Sequence, residues 1–105
     1  MEKYYYMTPN CLNSYIETQK IRSYLLSYEI LQETSEGRFI CKNPFIDISL
    51  MCIRNMESWS SNDFDSYKTN CISVIINESS REERIIVLLF QELEKLCGWS
   101  IVEDK

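Results

Sequence analysis

The sequence predicts an α+β domain: one antiparallel sheet of four or five strands, with an N-terminal helix and a C-terminal helix packed against it. Three observations carry this reading. Apolar and polar residues alternate at period two through the middle of the chain, and turn residues cut that stretch into consecutive strands. Helical periodicity is confined to the two ends. No helical stretch fits between successive strands, which a parallel, doubly wound sheet would require. With 105 residues, 45% of them hydrophobic, and two prolines and two glycines, a single domain spanning 1–105 with one core is expected.

Taken in order, Tyr4, Tyr5 and Tyr6 beside Lys3 read as an edge strand or as padding for the core. Thr8 to about Leu26 reads as a helix, with Thr8 as cap, Pro9 in the first position, and Leu12, Tyr15 and Ile16 on one face. A second face, Ile21, Tyr24, Leu25 and Tyr28, is out of phase with the first, so a break is expected at Thr18 to Lys20. Tyr28–Glu33 and Arg38–Lys42 form a hairpin around Thr34–Gly37, where Gly37 supplies a positive φ. Asn43-Pro44 then opens a longer strand, Phe45 to Arg54. Within it Ile46, Ile48, Leu50 and Cys52 point one way, and Phe45, Asp47, Ser49, Met51 and Ile53 the other. One apolar and one mixed face is the pattern of a sheet covered on one side.

Cys71 to Asn77 is a β-branched strand. Ser80 with Glu83 has the spacing of a capping box and opens a helix over Arg81 to Cys97. Its core stripe is Ile85, Leu88, Leu89, Leu93 and Leu96, widened by Ile86 and Phe90. Gly98 takes the left-handed position that ends the helix, and Trp99–Val102 follows as a short strand or a folded-back tail.

Composition removes several classes of function. The chain carries 11 basic and 16 acidic residues, a net charge of −5, and the cations are scattered singly. Nucleic acid is therefore a poor partner. There is no histidine, hence no Ser-His or Cys-His pair and no common zinc ligand. Neither G-x-G-x-x-G nor G-x-x-x-x-G-K-[ST], the glycine-rich phosphate-binding motifs, occurs. Asp63 and Asp65 are spaced as in a calcium loop, but that motif's third ligand, glycine and terminal Glu are missing. Cys11, Cys41, Cys52, Cys71 and Cys97 are an odd set without metal-ligand spacing, so reduced, mostly buried thiols are expected. The longest apolar run, Ile85–Phe90, is far too short to cross a bilayer, and the N-terminus has no signal-like apolar segment. These features point to a soluble, cytoplasmic protein that is not an enzyme and takes no cofactor or metal.

The most informative stretch is residues 55–68, NMESWSSNDFDSYK. A polar connection this long does more than join two strands. Aromatic anchors beside acids are the composition of a protein-binding hot spot, which singles out Glu57, Trp59, Asp63, Phe64, Asp65 and Tyr67. The competing reading tucks Trp59 and Phe64 over the open end of the sheet and leaves the acids solvated.

An acidic α+β chain of this size, with SWSSNDFDSYKTNCISVII, a capped helix and GWSIVEDK in succession, resembles the small immunity proteins of bacterial contact-dependent growth inhibition and related polymorphic toxin systems. The resemblance implies a chain that binds a cognate toxin domain, such as a basic nuclease, and blocks its active site or substrate path. It carries over no residue by position. A secretion chaperone or adaptor that holds a client segment would also be small, acidic and α+β. A mobile-element inhibitor that mimics nucleic acid needs ordered rows of carboxylates, and 16 acids offset by 11 bases make that mimicry weak. Monomer and homodimer are both compatible with this composition.

Overall fold

The computed structural model describes residues 1–60 and 62–104; Ser61 and Lys105, which fall within the loop and the C-terminal segment quoted above, lie outside the described residues. The described elements are β1 (Glu2–Met7), β2 (Ile16–Glu17), α1 (Thr18–Leu26), β3 (Gln32–Ser35), β4 (Arg38–Lys42), β5 (Phe45–Met51), β6 (Lys68–Thr69), β7 (Cys71–Asn77), a 3₁₀ turn (Glu78–Ser80), α2 (Arg84–Cys97) and β8 (Ile101–Glu103). Six strands form one sheet in the order β3-β4-β5-β7-β1-β8, and β2 pairs with β6 in a separate ribbon. Every pairing is antiparallel.

The α+β class and the antiparallel sheet agree with the sequence reading; the strand number does not. There are six strands in the main sheet because Glu2–Met7 is an inner strand, paired with β7 on one side and β8 on the other. Three successive tyrosines conceal its alternation, since tyrosine serves an apolar or a wet face equally well. Tyr5 is buried while Tyr4 stays half exposed.

The N-terminal helix is shorter than expected and starts at the anticipated break. Only Thr18–Leu26 is helical, and the segment before it turns through a Ser14 N–H to Cys11 carbonyl bond and then enters β2. Thr18 fixes this start: its backbone N–H donates to the Tyr67 carbonyl at 3.0 Å, and its hydroxyl donates to the Asp65 carbonyl at 2.8 Å. The first hairpin strand begins at Gln32 rather than Tyr28, because residues after α1 turn through a Leu31 N–H to Tyr28 carbonyl bond. Gly37 has the expected positive φ, 76°. The next connection, Asn43-Pro44, has a cis peptide bond. β5 stops at Met51, short of Arg54.

α2 also departs from the pattern at its start. Glu83 is its N-cap residue and makes no side-chain cap bond, so the Ser80/Glu83 capping box does not form. Instead the Glu83 N–H donates to the Ser80 carbonyl as the chain leaves the 3₁₀ turn. Gly98 ends the helix in the left-handed region, its N–H on the Glu94 carbonyl at 2.8 Å. The buried stripe is Ile86, Leu89, Phe90, Leu93 and Cys97; Ile85 is only half buried and Leu88 is 40% exposed.

The register explains the core. Met7, Ile72 and Leu50 form one row across three strands, and Tyr5, Val74, Ile48 and Phe39 form the next. Ile76, Ile46 and Cys41 complete the face, and all these residues belong to one buried cluster with Ile21 and Leu25 of α1 and the stripe of α2. The Tyr5 and Phe90 rings meet edge to face at 5.0 Å. Both helices thus contribute to one face of the sheet. The opposite face carries Tyr6, Ser73, Ser49 and Arg38 in one row and Tyr4, Ile75, Asp47 and Ile40 in the next.

Candidate functional site

The connection between β5 and β6 is tied to the body of the fold at many points. Cys52 donates its N–H to the Asp63 carbonyl at 2.8 Å. Asn70, only 2% exposed, clamps the two ends: its Oδ1 accepts the Ile53 N–H at 2.7 Å, and its Nδ2 donates to the Ile53 and Leu12 carbonyls. Asn55 Oδ1 accepts the N–H groups of Glu57 and Ser58, each at 3.0 Å. The Thr18 hydroxyl, already donating to Asp65, accepts from the Thr69 hydroxyl at 2.7 Å, since a hydroxyl has one proton to give.

The two acids organise the loop further. Asp63 Oδ2 accepts the Ser60 N–H at 2.9 Å, and Asp65 Oδ1 accepts the N–H groups of Tyr67 and Lys68, both at 2.8 Å. Backbone donors stabilise the ionised form, so the Asp65 carboxyl is held below its ordinary value, first by Lys68 N–H and then by Tyr67 N–H. Each carboxylate keeps one oxygen with no hydrogen bond to the described residues.

Both of the loop's large anchors are set into the fold. Trp59 packs against the small cluster of Met51, Ile53 and Cys71, and meets the Tyr6 ring edge-on at 5.8 Å. Phe64 lies directly on Gly37, where no Cβ occupies the space. The other two candidates point away: Glu57 is exposed and Tyr67 is 79% exposed. Beside Tyr67, half-exposed Tyr15 carries the Lys68 ammonium 5.0 Å from its ring centroid. The six sequence candidates therefore divide into an inner set, Trp59 and Phe64, an outer set, Glu57 and Tyr67, and two acids that hold the loop while keeping an open oxygen.

Trp59 and Ser60 also border an open pocket on the sheet face that carries no helix. Its volume is about 290 Å³, and Arg38, Asp47, Ser49, Met51, Ser73 and Ile75 complete its lining. Arg38 forks the nearly buried Asp47 carboxylate, Nε to Oδ1 at 3.1 Å and Nη2 to Oδ2 at 2.7 Å, leaving this floor close to neutral. Sequence reading missed Asn70, Thr18 and the Arg38–Asp47 fork. Single polar residues flanking a strand carry no periodic signal, and the fork needs the β4–β5 register.

No family model, curated protein or solved structure matches this chain. Among the described residues, no group of three or more His, Cys, Asp or Glu side chains is placed to hold a metal ion. No helix there is long and apolar enough to cross a membrane. The five thiols are free: Cys41, Cys71 and Cys97 are buried, Cys52 is half buried and Cys11 is exposed.

Proposed function

We propose that the chain is an immunity-type inhibitor: it binds a basic toxin domain, such as a nuclease, and occludes its active site or substrate path. The contact surface in this reading is the outer side of the 52–67 loop with the adjoining end of the uncovered sheet face. The observation that carries it is the loop's preorganisation. A long polar connection is held by Asn70, Asn55, Asp63, Asp65 and Phe64, yet presents Tyr67 and Glu57 outward. Ordering a loop before binding removes an entropic cost from association, which is the physical reason to fix it. The net charge of −5 suits attraction to a basic partner.

The test is co-expression with toxin domains encoded beside the gene, scored by growth, followed by calorimetry with the purified domain. Protection and a stoichiometric complex are expected, with Tyr67→Ala weakening binding by at least about tenfold, as for a hot-spot aromatic. Absence of protection from every such domain refutes the inhibitor reading. If Tyr67→Ala and Trp59→Ala both bind within about twofold of wild type while folded, the contact surface is elsewhere.

A further inference from the structure

α2 is apolar at six consecutive positions, Ile85 to Phe90, and the sheet can take only one side of it. It takes Ile86, Leu89 and Phe90, leaving Leu88 40% exposed although the periodicity assigns it to the core. Leu88 borders an open groove of about 480 Å³ between the helices, lined by Tyr24, Ser27 and Tyr28 on one side and Arg84, Ile85 and Glu92 on the other. Arg84 lies four residues before Leu88 and Glu92 four residues after it. At about 1.5 Å per residue these opposite charges stand roughly 6 Å either side of the leucine along the helix. Among the described residues neither Arg84 nor Glu92 has an ion-pair partner; Glu92 only accepts the Tyr28 hydroxyl on Oε1, at 3.0 Å.

We infer that this groove is a homodimer interface, with a second copy of the chain as its occupant. The row Arg84–Leu88–Glu92 is its own complement under a two-fold rotation. An axis through Leu88 that sets the two α2 helices antiparallel brings Leu88 against Leu88 of the second copy and each Arg84 against the other's Glu92. Rows spaced by four residues are the ridges by which helices most often interlock. The leucine of each copy fills the other's groove beside Tyr24 and Ile85, which covers the surplus apolar side of α2. The patch is small for a permanent interface, so the dimer forms with rising concentration rather than being obligate. This surface lies on the helical side of the sheet and stands independently of the proposed inhibitor function.

The test is sedimentation equilibrium on the purified chain and on Leu88→Lys, Arg84→Glu and Glu92→Arg, with circular dichroism confirming that each variant folds. Wild type should move from 12.5 kDa toward twice that mass as its concentration approaches about 1 mM. Leu88→Lys should stay monomeric. Each charge reversal places like charges together twice per dimer and should weaken association by at least about tenfold. An equimolar mixture of Arg84→Glu and Glu92→Arg should recover an association within about threefold of wild type, because both cross-pairs are again opposite in sign. A wild-type monomer at about 1 mM, a dimer indifferent to both reversals, or a mixture no stronger than either variant alone overturns the inference.

Discussion

Gly37→Ala is the substitution that most directly probes how the loop is held. Gly37 sits in the β3–β4 turn at φ 76°, a conformation that costs an L-residue about 1–2 kcal/mol. A Cβ there would also occupy the space of the Phe64 ring. The ring must leave, and with it goes the packing of a half-buried phenylalanine. Removing a fully buried Phe costs about 3–5 kcal/mol; Phe64 is only partly buried, so a lower figure of about 1.5–2.5 kcal/mol applies to it. Gly37→Ala should therefore cost about 2.5–4.5 kcal/mol, and Phe64→Ala about 1.5–2.5 kcal/mol.

The double variant isolates the contact. Once Phe64 is truncated, alanine at 37 meets only the backbone penalty, so the pair should lose about 2.5–4.5 kcal/mol, no more than Gly37→Ala alone. The non-additivity equals the ring's share, about 1.5–2.5 kcal/mol, measured by urea denaturation with a common m-value. If the singles add to the double within about 0.5 kcal/mol, Phe64 does not rest on Gly37 and the account of loop anchoring fails. On the proposed reading, Gly37→Ala also weakens partner binding although it touches no partner, because it frees the loop that carries Tyr67.

Two further outcomes concern titrating groups. Burial pushes the Cys71 thiol from 9.0 up to about 12 and the Cys97 thiol up to about 11. The unfolded chain therefore releases these protons first, and stability should fall as pH rises above about 9, the loss continuing to about 12. A thiol reagent at mildly alkaline pH should label Cys11 rapidly and Cys71 and Cys97 only at the rate of unfolding; prompt labelling of all five refutes their burial. For Asp65, whose carboxyl is held below its ordinary 3.8, the stabilisation is present above that value and is lost as pH falls through the lower folded one. Asp65→Asn keeps the accepting oxygen and removes only the charge, so it should be less stable than wild type at neutral pH, with the difference shrinking as pH falls through the lowered carboxyl value; a difference independent of pH refutes the role of its charge.

Much of the fold is legible in the sequence because its strongest signals are burial patterns. The alternation from Phe45 and the β-branched run Cys71–Asn77 mark the centre of the sheet; the second strand stands where it is read, and the first starts as read but ends at Met51, before Arg54. Gly37 and Gly98 mark their turns because no other residue takes those angles without strain. The misreadings share a cause. Thr8–Tyr15 has helical spacing of Leu12 and Tyr15, yet Thr18 finds better partners in the backbone of Asp65 and Tyr67, far away in sequence. The stripe of α2 is displaced because six apolar residues in a row contain several equally good periodic faces, and only the sheet selects one. The loop's length and composition were visible as a candidate site, but the clamp by Asn70 rests on contacts to Ile53 and Leu12 that no local pattern encodes.

The placement of Asp63 and Asp65 changes what acidity contributes in the proposed inhibitor. A flexible surface carboxylate loses side-chain freedom when it pairs with a partner's Lys or Arg, which cancels much of the gain. Here one oxygen of each acid is already fixed by loop backbone, Asp63 by Ser60 N–H and Asp65 by Tyr67 and Lys68 N–H. The freedom is lost on folding, and the second oxygen meets a cation in a set position. Glu57 is different, exposed and without such a tether among the described residues, so it contributes chiefly to long-range attraction. Two kinds of acid thus imply two kinetic effects. Neutralising Glu57 lowers the association rate and its salt dependence, while changing Asp63 or Asp65 raises the dissociation rate, both by loosening the loop and by removing the fixed oxygen.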